Sequence, residues 1–366
     1  MPALDVAGEF ETIDKLLKPL AHPEWARGLA DDVAVLPSRP GFDLVLTKDA
    51  LVEGVHFLPE DPLDTVARKL LRVNLSDLAA KGAEPLGYLL ACHWSERCGW
   101  PERQAFVAGL AEDQARFDVH LLGGDTVVTP GPAAFSLTAL GWVPAGRAVT
   151  RSGARAGDLV FVTGSIGDGR LGLRAARGEL SLEPERLEAL AAHYRAPVPR
   201  LDFSDMVRDL ATASIDVSDG LAADLAHIAQ SSGLRITLNL NVLPLSAAAQ
   251  AWFADRVDPQ LSLEELATGG DDYEIAFTAD NLLEAPPQAF DLICAGDVFY
   301  EGPMAEAMLA WLKQARAAGA EVRVGDPGRT YFPKAGLSLL AEYRVPTTRE
   351  LEDQEVKRTR VWALEA

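Results

Sequence analysis

The stretch that decides the fold runs from Val66 to Ala83, VARKLLRVNLSDLAAKGA. Val66, Leu70, Val73 and Leu78 recur at helical spacing through Ala80, which predicts a helix with one apolar face. Asp61-Pro62 ahead of it reads as an N-cap followed by proline at the first helical position. Asp77 falls inside the apolar run. A carboxylate there is costly unless it is paired, coordinated or turned to solvent.

Working outward, five further acidic clusters punctuate the chain: LADDVAVL (29–36), LTKDAL (46–51), LGGDT (122–126), IDVSDG (215–220) and GGDDYE (269–274). Aspartates spread this way can converge on folding, and converged carboxylates repel. Two at ~4 Å cost roughly 4 kcal/mol at an effective dielectric of 20. A fold that gathers them needs a cation. Hard oxygen ligands suit magnesium, which commonly accompanies a phosphate-rich substrate.

Each cluster has a chemical and a structural reading. Asp31-Asp32 can bind a metal, or cap and solvate a turn. Thr47 and Asp49 sit at the end of an apolar strand, where loops of α/β folds carry ligand chemistry; the alternative is a plain strand-end turn. Gly123-Gly124 lets the backbone approach a phosphate, with Asp125 to hold the ion. Asp216 and Ser218 are two apart at a strand end and share a face, and Gly220 opens a helix whose N-terminus favours an anion. His56 follows Gly54 and precedes Phe57; it is either a ligand or a structural histidine. Arg151 can grip a phosphate bidentately or simply sit on the surface. Asp271-Asp272 follows Gly269-Gly270 and precedes a strand.

Composition bounds the partners. The chain has 366 residues, 48% of them hydrophobic, and a net charge of −20. It is long enough for about two domains and too apolar for a disordered chain. The negative charge argues against nucleic acid or an anionic membrane as partner. Cys92, Cys98 and Cys294 form no CxxC pattern, which fits reduced thiols in the cytoplasm. MPALDVAGEFE lacks the basic and apolar regions of a signal peptide, and no run approaches the ~18 apolar residues of a membrane span. The P-loop, the GxGxxG dinucleotide turn, the kinase HRD and DFG motifs, the GxSxG elbow and HExxH are all missing.

Strands are expected at Phe42–Thr47, Val119–Leu122, Phe135–Val143, 213–217, 235–240 and Tyr273–Thr278, and helices at 101–115, 168–177, 184–194 and 221–231. A Gly- and Arg-rich joint, GRAVTRSGARAGD (146–158), places a boundary near Arg151. A Pro-containing linker follows at 282–290. Beyond it come a strand at Asp291–Ala295, a helix at Pro303–Ala317, a strand at Glu321–Gly325 and a charged tail. The expected domains are 1–150, 151–285 and 286–366.

Taken in order, GEFETI, DDVAVL, TKDALVEGVHF, KLLRVNLSDLAAKGAEP, LGGDT, GRAVTRSGARAGD, VTGSIGD, IDVSDGL and GGDDYEIAF resemble the thiamine-monophosphate kinases over about residues 8–280. The resemblance implies the two-domain fold of the aminoimidazole ribonucleotide synthetase and selenophosphate synthetase superfamily. That is an α/β domain plus an α+β domain, here with an extra α/β C-terminal segment, in a homodimer paired through the N-terminal sheets. It implies transfer of the ATP γ-phosphoryl group onto thiamine monophosphate, with magnesium. By similarity Asp32, Thr47, Asp49, Asp77, Asp125, Asp216 and Asp219 are magnesium ligands, with Asp49, Asp125 and Asp219 central to catalysis. Gly124, Asp125, Arg151 and Ser218 meet ATP; His56 and Asp271 meet the thiamine phosphate.

Three departures stand against the family pattern. Gly28-Leu29-Ala30 replaces Gly-x-Gly, and Lys48 stands where threonine is usual. The terminal aromatic segment that contacts the thiamine ring is missing; Tyr331, Phe332 and Trp362 are the candidates to replace it. Residues 290–366 instead resemble the C-terminal part of a class I S-adenosylmethionine-dependent methyltransferase, without the glycine-rich loop that binds the cofactor. The competing readings are another ATP-dependent synthetase of the superfamily, a binding protein without turnover, and a methyltransferase.

Overall fold

Residues 8–281, 283, 286–287, 290–296, 298–299, 301–346 and 356–365 are described by the structure, a computed structural model. The chain opens with a short helix α1 (Glu9–Thr12), followed by β1 (Phe42–Val52), α2 (Leu63–Ala80), β2 (Glu84–Ser95), α3 (Trp100–Phe117), β3 (His120–Thr129) and β4 (Ala134–Pro144). Then come β5 (Leu159–Val162), α4 (Asp168–Ala176), α5 (Pro184–Arg195), α6 (Ser204–Leu210), β6 (Ala211–Asp216), α7 (Leu221–Ser232), α8 (Ala247–Ala254), α9 (Pro259–Ala267) and β7 (Ile275–Ala279). Last are β8 (Leu292–Gly296), α10 (Gly302–Ala317), β9 (Glu321–Asp326), β10 (Leu337–Pro346) and β11 (Val356–Leu364). Two compact units result, Met1–Asp280 and Asn281–Ala366. Among the described residues no helix is long and apolar enough to cross a membrane.

The N-terminal lobe of the first unit is a four-stranded sheet in the order β1-β4-β2-β3, with β2 and β3 parallel and the other pairs antiparallel. Alternation along each strand buries one face. Leu51, Tyr88, Leu90, Trp94, Phe135 and Leu137 pack there with Leu70, Leu71, Leu75 and Leu78 of α2 and Phe106 of α3. Phe106 stacks on Phe135 with centroids 4.4 Å apart, and Trp94 meets Phe135 edge-on at 5.1 Å. The Trp94 indole donates to Thr126 Oγ1 at 2.8 Å, which satisfies its buried N–H. On the opposite face Leu44, Leu46, Leu89 and Val127 are exposed.

The C-terminal lobe of this unit holds an antiparallel sheet in the order β5-β7-β6, backed by α7 through Ile215, Val217, Leu225 and Ile228. Arg72 of α2 ties the lobes together. It clasps Asp113 of α3 with bonds of 2.6 and 2.7 Å, and its third nitrogen donates to the Ala196 and Pro197 carbonyls at 2.9 and 3.3 Å.

The second unit carries a sheet in the order β10-β11-β9-β8, with β8 and β9 parallel across α10 and β11 antiparallel to both its neighbours. Its core includes Phe299, Leu312, Val322, Val324 and Leu364. Phe332 and Trp362 pack against that core with centroids 5.3 Å apart, so these two aromatics are structural within the unit.

Several expectations are corrected. Helix α2 starts at Leu63 with Pro62 as its N-cap residue. Asp61 does not cap it; its carboxylate accepts from the Leu58 N–H at 2.8 Å and from Arg195 at 2.7 Å. The strand expected at 235–240 does not form: residues 234–239 carry no secondary structure, and Leu240 opens a 3-10 turn. The strand expected at Val119–Leu122 runs on through Gly123-Gly124 as β3, to Thr129. Tyr273 lies outside β7, which begins at Ile275. The charged tail forms β10 and β11, and much of the linker expected at 282–290 lies outside the described residues.

Candidate active site at the lobe junction

One face of α2 supplies a row of polar side chains to the C-terminal lobe. Lys69, Ser76, Asp77 and Lys81 recur at spacings that keep them on neighbouring sides of the helix. Lys69 Nζ donates to Asp271 Oδ2 and to the His56 carbonyl, each at 3.2 Å. Ser76 Oγ donates to the Tyr273 carbonyl at 3.3 Å, and Lys81 Nζ to the Ser214 carbonyl at 2.7 Å.

Asp77 is the centre of an acidic group. Thr47 Oγ1 of β1 donates to its Oδ2. Asp216 at the end of β6 faces it, and burial, then the Asp77 charge, hold the Asp216 carboxyl well above the usual range. Asp49, two residues beyond Thr47 and on the same strand face, is pushed up to about 6 by burial and by Asp77. Burial pulls Lys81 down to about 8, against the opposing pull of Asp216. Arg151 follows Thr150, whose carbonyl accepts from the N–H of the same Ser214 at 3.0 Å, and its charge lowers Lys81 further. Burial and the carboxylates of Asp271, Asp49 and Asp216 push the Tyr273 hydroxyl upward.

Two loops of the C-terminal lobe close the junction. The Asp271 N–H donates to the Ser218 carbonyl at 2.9 Å and the Tyr273 N–H to the Val217 carbonyl at 2.7 Å. Asp271 and Tyr273 both adopt left-handed backbone, with φ of 70° and 52°. Asp272 accepts from the Gly167 and Gly169 N–H groups at 2.8 Å each. The N–H groups of Ser218 and Asp219, just ahead of α7, donate to Asp224 in its first turn at 3.1 Å each. His56 uses Nδ1 to accept from the Val52 N–H at 3.1 Å, which fixes the turn after β1.

Asp32, Gly124 and Asp125 lie elsewhere. They line a cavity of about 450 Å3 at the β3 edge, with Asp31 and Leu29. Strand register puts Asp125 on the sheet face of Ala50, Ala91 and Ser136, opposite the face of Asp49. Gly124 has φ 153°, and a Cβ there would stand 1.7 Å from the Leu90 carbonyl oxygen, so the close strand approach requires glycine. Asp31 is held by Arg27 at 2.5 Å, and that bond keeps its carboxyl below the ordinary value. Ala30 has φ −101°, so the alanine that replaces the second family glycine needs no special freedom. Lys48 faces away from Asp49 and donates to Ser136 Oγ at 2.6 Å.

The junction therefore gathers Thr47, Asp49, Asp77 and Asp216, with Ser218, Asp219, His56 and Asp271 around it. Within one chain it does not gather Asp32, Gly124 and Asp125 with them. Among the described residues no three His, Cys, Asp or Glu side chains form a group able to hold a metal ion alone. The oxygen-only donor set still suits magnesium, which keeps several waters and is often bound by one or two carboxylates plus phosphate. Asp49 and Asp216, driven toward the protonated form without a cation, fit such an ion. Sequence reasoning missed Lys69, Lys81, Tyr273 and Asp224. The helical spacing of the first two was readable; the contacts of Tyr273 and Asp224 depend on loop geometry.

The fold and this junction define a class. Residues 30–143 match the family model of the AIR synthase related protein, N-terminal domain, and residues 155–317 match that of its C-terminal domain. The thiamine-monophosphate kinase of Caulobacter vibrioides is 52% identical over 280 residues, covering 76% of this chain and 79% of that protein. The crystal structure of thiamine-monophosphate kinase from Stenotrophomonas maltophilia superposes with a TM-score of 0.65 at 36% identity, covering 72% of this chain and 83% of that one. AaThiL, solved in complex with AMPPCP and TMP, gives a TM-score of 0.62 at 32% identity, covering 75% of this chain and 85% of its own. The chain has the two-domain fold of the AIR synthase related proteins. Within them, it belongs to the thiamine-monophosphate kinase family.

Proposed function

We propose that this protein transfers the γ-phosphoryl group of ATP directly onto the phosphate of thiamine monophosphate, giving thiamine diphosphate and ADP. The observation that carries this reading is the Asp49–Asp77–Asp216 group, whose shared charge calls for a cation at the lobe junction.

The acceptor is already an anion, so no strong base is required to activate it. The barrier is the approach of two negatively charged phosphates, and catalysis is positioning plus charge neutralisation. Magnesium, when bound, supplies that neutralisation. Thr47, Asp49, Asp77, Asp216 and Asp219 would hold it at the junction, and Asp32 and Asp125 at the β3 edge. Asp49, Asp125 and Asp219 carry the catalytic role. Gly124, Asp125, Arg151 and Ser218 face ATP, and His56 and Asp271 face thiamine monophosphate. The phosphoryl group passes without a covalent phospho-enzyme.

A homodimer paired through the N-terminal sheets accompanies this reading. The exposed Leu44, Leu46, Leu89 and Val127 on the uncovered sheet face support it. Pairing there would set the Asp32–Gly124–Asp125 cavity beside the interface. The working division of the chain is 1–150, 151–285 and 286–366, in the cytoplasm. We read the last segment as methyltransferase-like in fold. Its support is the parallel β8–α10–β9 crossover followed by a strand inserted antiparallel between β9 and β10. The AIR synthase related C-terminal model, which reaches residue 317, lends that reading nothing.

An assay of thiamine diphosphate by chromatography, with ATP, thiamine monophosphate and magnesium, tests the function. Turnover in the native chain and its loss in Asp49→Ala and Asp125→Ala are expected. Folded native protein that binds ATP but forms no product would leave only a nucleotide-binding role.

A further inference from the structure

Lys69 occupies a place where an ammonium group is expensive. Its side chain is 2% exposed, in the middle of α2. The ammonium has three donor hydrogens. Two are directed at Asp271 Oδ2 and the His56 carbonyl, and the ammonium sits 4.0 Å from the centre of the Tyr194 ring. With those directions committed, Lys69 is built to hold neighbours in place.

Those neighbours come from separate parts of the chain. His56 belongs to the turn after β1, Tyr194 to α5, and Asp271 to the loop before β7. Asp271 has left-handed backbone, which a non-glycine residue adopts only when its surroundings impose it. Two residues on, the Tyr273 carbonyl accepts from Ser76 Oγ, next to Asp77 on α2, and the Tyr273 hydroxyl feels the charges of Asp271, Asp49 and Asp216. The carboxylate that Lys69 holds therefore borders the acidic group.

We propose that Lys69 is a positioning residue for the acceptor side of the reaction, fixing the Asp271 carboxylate and the His56 turn so that thiamine monophosphate is seated against the acidic junction. This rests on the function proposed above, in which His56 and Asp271 face that substrate.

The test compares native protein with Lys69→Met, Lys69→Gln, Asp271→Asn and the Lys69→Met/Asp271→Asn double variant. The readouts are kcat, KM for thiamine monophosphate, KM for ATP, calorimetric affinity for each substrate, and Tm. Lys69→Met is expected to raise KM for thiamine monophosphate at least tenfold and leave KM for ATP within twofold. Lys69→Gln, which keeps a donor for the His56 carbonyl, is expected to fall between. The double variant is expected to be no worse than Asp271→Asn alone, because both changes break one link. Should Lys69→Met fail to fold, Lys69→Gln carries the test: a selective rise in KM for thiamine monophosphate is still expected, and its absence overturns the proposal. An unchanged KM for thiamine monophosphate, or equal losses for both substrates, overturns the proposal while the native enzyme stays active. Native protein that neither binds nor converts thiamine monophosphate overturns the proposed function itself, and this role with it.

Discussion

Asp216 of β6 faces Asp77 of α2 across the junction of the two lobes, and burial followed by the Asp77 charge drives the Asp216 carboxyl toward its protonated form. A divalent cation would take the place of that proton. Magnesium titration by calorimetry in buffers of different ionisation enthalpy should therefore show net proton release near neutral pH. Binding without proton release would contradict a site at this pair.

Asp77→Asn removes the negative charge at the centre of the group while keeping its shape. Without magnesium the variant is expected to melt no lower than the native protein, because like-charge repulsion is relieved. Turnover is expected to fall at least a hundredfold. A lower metal-free Tm with retained turnover would show that the carboxylate is structural.

Asp49 links the site to pH. Burial and Asp77 push it up to about 6, above its ordinary value of 3.8. In metal-free protein the stability tied to this group is therefore fully present below about pH 4 and is lost as pH rises through about 6. Magnesium competes with the proton, so the sign reverses for metal binding. Affinity is expected to weaken by roughly tenfold per unit as pH falls below about 6. A magnesium affinity flat from pH 5 to 7 would remove Asp49 from the ligand set.

The Arg200–Glu274 pair anchors the start of β7. Arg200 donates twice to a carboxylate that is 1% exposed, at 2.6 and 2.5 Å, and Thr163 donates to the same group at 2.6 Å. Arg200→Met leaves that charge buried and is expected to cost about 3–5 kcal/mol. Thermal melting should fall by roughly 10 °C. A shift within a degree or two would mean the carboxylate is solvated.

Much of this organisation was legible in the chain. The apolar spacing of Val66, Leu70, Val73 and Leu78 marks α2, and Asp77 within it marks the site, because an uncompensated carboxylate there is costly. The side of the sheet that Asp125 occupies was not legible. An irregularity in the β2–β3 pairing lets Leu89 face Gly123 and skips Leu122, and a one-residue slip moves each later side chain to the other face. Nothing local to LGGDT encodes that slip. Residues 234–239 carry a strand pattern without a strand, because pairing needs a neighbour that the pattern cannot supply. The bonds from the Ser218 and Asp219 N–H groups to Asp224 were not legible either, because they depend on how the loop ahead of α7 folds back on its first turn.

The most direct measurement follows the phosphorus. The chain is incubated with ATP labelled at the γ-phosphate, thiamine monophosphate and increasing magnesium, and the products are separated by chromatography. The expected result is label in the terminal phosphate of thiamine diphosphate, one for each ADP formed, dependent on magnesium and lost in Asp49→Ala. Label retained on the protein, or ADP formed without labelled thiamine diphosphate, would contradict direct transfer at the Asp49–Asp77–Asp216 junction.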